Sequence, residues 1–271
     1  MDRIRVGGLK VIEQGACLTA SLPSRREGLK SWVTSPLSAG RINLTFLAQV
    51  TGEAGSSDFA AWCTDMAAGS DAYTLAESAL KGQGTLTWLP GTCLITLFPH
   101  EKRAEINGKF LHSLAQARVV IRALGSSPAA ITAVVSEEAR TRALRQLFRR
   151  FTFPAYTSLE EFYALRRPQE ELVREVVASY QEKIIRVYAI LAEPDLDLWV
   201  MNIPSSEVLG GLAQVLITLG NLGRHLHFLV AVPGPEGRFL VAFSFKATSG
   251  EEISALLQAH LPDPQVQRRT D

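Results

Sequence analysis

Residues Gly91–Val135 read GTCLITLFPHEKRAEINGKFLHSLAQARVVIRALGSSPAAITAVV, and their hydrophobic period changes along the stretch. Thr92–Phe98 is a short apolar run rich in strand-forming residues, and a polar loop follows it. From Gly108 the apolar residues recur at helical spacing, which predicts an amphipathic helix. Val119–Leu124 and Ala129–Ser136 are two strand-length runs joined by a Gly-Ser-Ser-Pro turn. A second helical pattern completes a βαββα unit.

The same plan occurs earlier in the chain. Residues 15–23, GACLTASLP, align with residues 91–99, GTCLITLFP, and Cys93 follows Cys17 by 76 positions. Gly28 opens a predicted helix, and Ile42–Val50 alternates apolar and polar residues as a half-buried strand does. A strand at Asp58–Asp65, a helix at Asp71–Leu80 and a strand at Thr85–Leu89 are predicted to follow. The sequence therefore predicts two βαββαβ units in tandem.

The residues of both copies carry a resemblance to a known family. In the first copy, Gly28-Leu29 and the later Ala39-Gly-Arg-Ile-Asn-Leu44 resemble an ACT domain. The second copy is similar to the tandem ACT region of aspartate kinases in two places, Gly108-Lys-Phe-Leu-His-Ser-Leu-Ala115 and the Ser-rich turn before Ile131. The resemblance covers roughly residues 9–153, and the Lys-Phe-Gly-Gly opening of the kinase half is absent from this sequence. It implies ferredoxin-like sandwiches in tandem, an α+β fold, and assembly as a homodimer.

The resemblance also implies a place for a small ligand, most often an amino acid. The ligand of an ACT domain lies where the loop after the first strand meets the first helix. Backbone N–H groups at a helix start favour a carboxylate, and a glycine there allows close approach. The ligand-binding candidates are Arg25, Glu27, Gly28, Leu29 and Asn43 in the first unit, and Glu105, Asn107, Gly108 and Lys109 in the second.

Composition limits the class of protein. The chain has 271 residues, 46% of them hydrophobic and 20% charged, as in an ordinary globular protein. Its formal net charge of +1 predicts no general attraction to nucleic acid or to an anionic membrane. Three dispersed cysteines predict no disulfide framework and favour the cytoplasm, and no apolar run is long enough to span a bilayer.

The rest of the chain changes character after Pro154. Residues 155–183 are predicted to be a helical connector, and a capping box at Ser158-Leu-Glu-Glu161 opens it. Residues 184–262 are predicted to form a ββαββα module, and 263–271 a disordered tail. The predicted domains are therefore 1–90 (unit one), 91–154 (unit two), the connector, the C-terminal module and the tail.

We interpret the chain as a non-catalytic regulatory or sensor protein that binds an amino acid at ACT-domain interfaces, without a cofactor, a metal or catalytic residues. Two alternatives stay open. The ACT units could serve only for assembly and protein interaction, with vestigial ligand sites. The C-terminal module could be an enzyme that uses His225, His227, Asp195 or Asp197.

Overall fold

The computed structural model describes residues 3–23, 28–51, 57–165, 192–204, 209–261 and 265–270. The strands are β1 (Ile4–Arg5), β2 (Gly8–Leu22), β3 (Phe46–Thr51), β4 (Asp58–Asp65), β5 (Thr85–Phe98), β6 (Ile121–Ser126), β7 (Ile131–Ser136), β8 (Phe151–Thr152), β9 (Leu196–Ile203), β10 (Phe228–Pro233), β11 (Phe239–Lys246) and β12 (Gln265–Thr270). The helices are α1 (Ser35–Ala39), which continues a π-helical turn at Lys30–Thr34, α2 (Gly69–Leu80), α3 (Ala104–Gln116), α4 (Arg140–Arg150), α5 (Leu209–Asn221) and α6 (Gly250–His260).

The strands form a ferredoxin-like arrangement more than once. Strands β2 to β12, apart from β8, lie in one ten-stranded sheet, and β1 pairs with β8. In unit one the spatial order is β5-β2-β4-β3, and in the C-terminal module, called unit three from here on, it is β12-β9-β11-β10. Both orders place the first and third strands of a βαββαβ unit at its centre. The predicted α+β fold class of tandem ACT-type sandwiches is confirmed.

Units one and two share strands, which the boundary predicted at residues 90 and 91 did not anticipate. That boundary falls inside β5, whose first half pairs with β2 in unit one and whose second half pairs with both β2 and β7. The first half of β2 lies beside the end of β5, from Gly8 opposite Phe98 to Ile12 opposite Leu94. It therefore takes the position that unit two's own fourth strand would occupy. That fourth strand, β8, pairs instead with β1 in parallel.

Units two and three lie side by side. Their second strands, β6 and β10, pair antiparallel, with Leu124 opposite Ala231. Their first helices, α3 and α5, pack against each other. Gly108 allows this approach, because a Cβ atom there would lie 2.6 Å from the Ala213 carbonyl oxygen and 2.8 Å from the Ile217 nitrogen. The two units therefore form one continuous sheet with its helices on one face.

Three apolar clusters define the layers of the molecule. The first joins α3, α4, α5 and α6 to one face of the sheet of units two and three. The second lies between unit one and the other face of that sheet, where β3 contacts β10 and β11. The third packs α1 and α2 on the outer face of unit one. The order is helices, sheet, sheet, helices, with the strand-lined cluster at the centre.

The structure corrects two parts of the predicted secondary structure. The strand predicted at Ile42–Val50 begins at Phe46, because Ile42 and Leu44 pack with the helices of unit one and not with the central cluster. The tail predicted to be disordered contains β12, which pairs with β9.

Over its described residues unit three has the order βαββαβ, which agrees with the last five elements of the predicted ββαββα and adds β12. The first strand of the predicted module, at residues 184–191, lies outside the described residues, as does the connector from residue 166 onward. The connector's described part is helical at 159–165, where the Ser158 hydroxyl accepts a hydrogen bond of 3.2 Å from the Glu161 N–H as the capping box predicts.

Within the described ranges, no helix is both long and apolar enough to cross a membrane.

Candidate functional site

The four ligand-binding candidates of unit two lie inside α3, not at its start. The helix begins at Ala104, four residues before Gly108, and Arg103 has an extended backbone at its N-cap. Because the residues before Gly108 are polar, the sequence predicts a loop there. They are helical because one side of this helix packs on the sheet and another side packs on α5.

These candidates make contacts within the protein. Asn107 is fully buried, and its side-chain amide donates a hydrogen bond of 3.1 Å to the Arg103 carbonyl. The Glu105 carboxylate accepts a hydrogen bond of 2.6 Å from Arg103 Nε, and it lies against Gly220 of α5. Gly108 is covered by α5, and Lys109 is half-buried. The structure places all four in or beside the contact between units two and three.

The structure describes only three of the five ligand-binding candidates of unit one. Arg25 and Glu27 lie outside the described residues. Gly28, with φ of 38°, and Leu29 begin the helix that leads into α1, whereas Asn43 is exposed in the loop before β3. The helix start is near a carboxylate of the protein itself, because a Cβ atom on Gly28 would lie 3.8 Å from Asp58 Oδ2.

Asp58 makes this helix start unsuitable for a second carboxylate. Its side chain is 5% exposed, and Oδ2 accepts a hydrogen bond of 3.2 Å from Gln49 Nε2, whereas Oδ1 has no hydrogen-bond partner. Burial raises the pKa of Asp58, and the hydrogen bond from Gln49 lowers it by less. A ligand here would have to present a cation or a neutral group.

We expect Asp58 to make stability depend on pH. A carboxyl whose pKa is higher in the folded protein stabilises the fold below its unfolded pKa, and this contribution disappears as pH rises through the folded pKa. Asp58→Asn should therefore reduce the loss of stability as pH rises above about 4, the usual pKa of an aspartate. Urea unfolding at a series of pH values measures this, with the exposed Asp65→Asn, at the end of the same strand, as the control. Equal pH slopes in Asp58→Asn and the unaltered protein would contradict it.

A cavity of about 160 Å³ lies at the start of α3, and we call it the α3 cleft. It lies between the turn that joins β1 to β2 and the loop that joins β5 to α3. Its lining consists of Arg5, Val6, Gly7, Pro99, His100, Glu101, Arg103, Ile106 and Pro154. It is therefore at the position in unit two where the ACT resemblance places a ligand, a few residues before the ones predicted.

The charges around the α3 cleft have both signs. Arg5 and Glu101 are exposed and of opposite charge. Arg103 lies between the cleft and Glu105, with Nη2 2.5 Å from the Glu105 carboxylate. The positive end of the α3 dipole adds to the attraction for an anion. The cleft can therefore accept a carboxylate and an ammonium group together.

His100 is the buried polar side chain of the cleft. It is 0% exposed, and neither ring nitrogen makes a hydrogen bond of ordinary geometry. Burial lowers the pKa of His100, and nearby backbone groups of Ala130 and Ser127 counteract this in part. The neutral imidazole has one donor and one acceptor nitrogen.

The loop of the cleft has a strained backbone and is tied to unit three. Glu101 and Lys102 have φ of 51° and 60°, a region that side chains other than glycine seldom adopt. The Lys102 N–H donates to the Pro128 carbonyl at 3.1 Å, and the Lys102 carbonyl accepts from the Leu226 N–H at 2.8 Å. The Lys102 ammonium also pairs with Glu193. Such strain persists only where the surroundings fix the conformation, and it is frequent at ligand sites.

Comparisons with known proteins agree with this geometry at the level of the fold. A crystal structure of aspartate kinase from Synechocystis matches with a TM-score of 0.71 and 14% identity, over 97% of this chain and 45% of that chain. The regulatory subunit of aspartate kinase from Thermus flavus matches with a TM-score of 0.50 and 18% identity, over 54% of this chain and 99% of that one. The chain has the fold of an aspartate kinase regulatory region. It spans less than half the length of the Synechocystis chain, and no family model and no curated protein matches it.

The fold explains why Arg5, His100, Glu101 and Arg103 were not predicted to lie together. Arg5 comes from the segment before β2, and no sequence signal indicates that this segment reaches the loop after β5. The helix start was predicted four residues too late, so the candidates at 105–109 lie inside α3. An alternative signal existed in the acidic Glu105, since acidic residues are frequent in the first turn of a helix.

The residues of the enzyme alternative are engaged in contacts between elements. His227 pairs with Glu193, and burial lowers the pKa of His227 more than Glu193 raises it. Asp197 is fully buried and accepts a hydrogen bond of 2.7 Å from Arg268 Nε. In the part of the chain that the structure describes, no three His, Cys, Asp or Glu side chains are grouped as metal ligands would be.

Proposed function

We propose that this chain is a non-catalytic regulatory protein of the cytoplasm that binds a free amino acid in the α3 cleft. The observation that supports this most is the cavity itself, at the start of the first helix of an ACT-type unit, with charges of both signs around it. A free amino acid carries one carboxylate and one ammonium group, which matches this set of groups.

The pose that we propose assigns each charged group a partner. The carboxylate binds Arg5, since a guanidinium offers a carboxylate two parallel hydrogen bonds. The ammonium group binds Glu101. A cavity of about 150 Å³ holds a molecule the size of benzene, so the α3 cleft suits one amino acid and not a nucleotide.

Regulation requires that the ligand favours one arrangement of the chain over another. Lys102 lies in the loop of the cleft and pairs with Glu193, which precedes the first strand of unit three. We propose that a ligand which moves this loop changes how unit three is held against unit two. The Lys102–Glu193 pair is the link that such a change would break or strengthen.

The test is a panel of free amino acids measured by thermal shift and calorimetry on the full chain. A ligand at 100 times its dissociation constant should stabilise the fold by about 2.7 kcal/mol. Arg5→Ala should weaken binding by roughly 10- to 100-fold, because a hydrogen bond to a charged group contributes about 1.5–3 kcal/mol. Arg3→Ala is the matched control, since Arg3 is exposed, lies two residues away and is not part of the cleft.

A second proposed place for a ligand is the helix start of unit one, with Gly28, Leu29 and Asn43. Asp58 makes this place suitable for the ammonium end of a ligand. If Asn43→Ala weakens binding and Arg5→Ala does not, the ligand binds in unit one and the proposal for the α3 cleft is wrong.

Assembly is part of the same proposal and is also its main alternative. We propose that the chain forms a homodimer. The alternative is that assembly is its whole role, which the burial of Asn107 and Gly108 in the contact between units favours. If no amino acid shifts the melting temperature and the chain still forms a stable dimer, this alternative replaces the sensor proposal.

A further inference from the structure

We propose that Cys17 and Cys63 form a reversible disulfide site, at which a small disulfide such as oxidised glutathione links the two central strands of unit one. Both thiols are free in this structure, and they lie 46 positions apart in the sequence (63 − 17), so no spacing motif reveals them. The disulfide site goes beyond the proposed ligand binding and does not rest on it.

The register of unit one places the two cysteines directly opposite each other. β2 and β4 pair antiparallel, and Cys17 is the residue opposite Cys63. The Cys63 carbonyl accepts a hydrogen bond of 2.9 Å from the Thr45 N–H, just before β3, which lies on the other side of β4 from β2. Because the N–H and C=O of a strand residue point to the same side, Cys17 and Cys63 are a non-hydrogen-bonded pair. Such pairs have Cα atoms about 4.5 Å apart, within the range of about 4.4–6.8 Å that a disulfide spans.

The side chains of Cys17 and Cys63 also lie together. Both belong to the central apolar cluster, and both residues are 0% exposed. A hydrogen bond between the two side chains raises the pKa of the Cys63 thiol, and burial acts in the same direction. The two sulfur atoms are therefore in contact, and a rotation of the side chains brings them to bonding distance without moving the strands.

The third cysteine shows that burial in a strand does not make such a site by itself. Cys93 is also 0% exposed, but its side chain lies in the first apolar cluster, and it faces Val135 of β7. All three cysteines are among the described residues, and within them only Cys17 and Cys63 are opposite each other.

A reagent reaches the pair only when unit one opens locally. Cys63 is two residues from Asp65, the exposed end of β4, and β3 begins opposite Cys63 at Phe46. The pairing of β2 with β5 is irregular between Gly15 and Cys17. Strand ends with few hydrogen bonds open more easily than strand centres. Oxidation of the folded chain should therefore be slow, and the closed sheet should shield the disulfide from reductants once it has formed.

The reaction is a thiol–disulfide exchange in two steps. One cysteine thiolate attacks a sulfur of oxidised glutathione, and a glutathione thiolate leaves. The other cysteine thiolate then attacks the protein sulfur of the mixed disulfide and releases the second glutathione thiolate. The two protons that the cysteines lose go to the two glutathione thiolates, so the protein thiols are oxidised and glutathione is reduced. In a reducing cytoplasm such disulfides are typically transient and redox-sensing.

The test is oxidation of the folded full chain with oxidised glutathione, followed by alkylation of the remaining thiols in denaturant and peptide mass mapping. A link between Cys17 and Cys63 should form, and Cys93 should be recovered as an alkylated thiol. The link should raise the melting temperature by roughly 5 °C, because it constrains the unfolded chain. Treatment with a reducing dithiol should restore the three thiols and the original melting temperature.

Two controls separate the folded geometry from chance pairing. The same oxidation in urea should favour a link between Cys63 and Cys93, which are only 30 positions apart (93 − 63), because an unfolded chain closes short loops more readily. Cys93→Ala is the matched control for Cys63→Ala, since each removes a fully buried strand cysteine. Cys63→Ala should abolish the link, and Cys93→Ala should retain it.

The proposal is overturned if the folded chain keeps three free thiols, carries glutathione in place of an internal link, or forms the Cys63–Cys93 link. An oxidised chain whose melting temperature is unchanged also overturns it. If Cys63→Ala does not fold, as judged by its circular dichroism, the peptide map of the unaltered chain decides without a variant. Since no amino acid is added, failure here is distinct from failure of the proposed ligand site.

Discussion

Replacing Arg268 with alanine should lower the free energy of unfolding by about 3 kcal/mol, the largest effect that we expect from one substitution. Asp197 is 0% exposed, and its carboxylate lies 2.7 Å from Arg268 Nε and 2.6 Å from Nη2. The guanidinium also lies over the Trp199 ring, 5.5 Å from its centroid. Removing one member of a buried pair leaves the other charge without compensation, which typically costs 3–5 kcal/mol. We take the lower end because the Arg268 side chain is 36% exposed.

The adjacent Arg269 is the matched control for this prediction. It belongs to the same strand and is exposed. Arg269→Ala should change the free energy of unfolding by no more than about 0.5 kcal/mol. Urea unfolding of the two variants measures the difference. The double variant Asp197→Asn/Arg268→Ala should recover part of the loss, because it removes the uncompensated charge. Equal stability of the two single variants would show that β12 contributes little to unit three.

The prediction concerns a strand that sequence patterns did not reveal. β12 reads QVQRRT and is too polar to be predicted as a strand from alternating apolar residues. Its position is fixed by pairing with β9 and by the ion pair to Asp197, two contacts across about 70 residues of chain. Local composition favoured a disordered tail because nothing local stabilises this segment.

Local hydrophobic patterns were sufficient to predict a helix or strand wherever that element buries one of its faces. The strand Asp58–Asp65 has the predicted bounds, and its buried residues alternate between the second and the third cluster. The helix α2 also begins within two residues of its predicted start at Asp71. In these segments the hydrophobic period and the tertiary environment agree, so the sequence alone determines the element.

Hydrophobic patterns did not predict strand pairing where one strand belongs to two units. The second half of β5 belongs to unit two and its first half to unit one, and a sequence pattern contains no information about which strand will lie beside it. For the same reason the α3 cleft was not predicted in full. Its lining joins Arg5 to Pro154, and these residues meet only because β1 pairs with β8.

A second large effect is expected at Gly108, in the contact between α3 and α5. Gly108→Ala should destabilise the protein by roughly 1–3 kcal/mol, the usual cost of overpacking. Its Cβ atom would lie 2.6 Å from a backbone oxygen and 2.8 Å from a backbone nitrogen of α5, so the helices would have to move apart. The cost should exceed the gain of about 1 kcal/mol that alanine gives over glycine within a helix.

Gly210→Ala, in the facing helix, is the control for Gly108→Ala. A Cβ atom at position 210 would meet Ala115 Cβ at an ordinary 3.8 Å, so this variant should keep the helix gain and be as stable as the unaltered chain or more stable. Urea unfolding of both variants separates packing from helix propensity, because only the neighbours differ. The pair also tests the role that the ACT resemblance gave to Gly108. If Gly108 contacted a ligand, Gly108→Ala would change amino-acid affinity and leave stability as it is. Loss of stability in Gly108→Ala without a change in affinity for an amino acid assigns this glycine to the contact between units two and three.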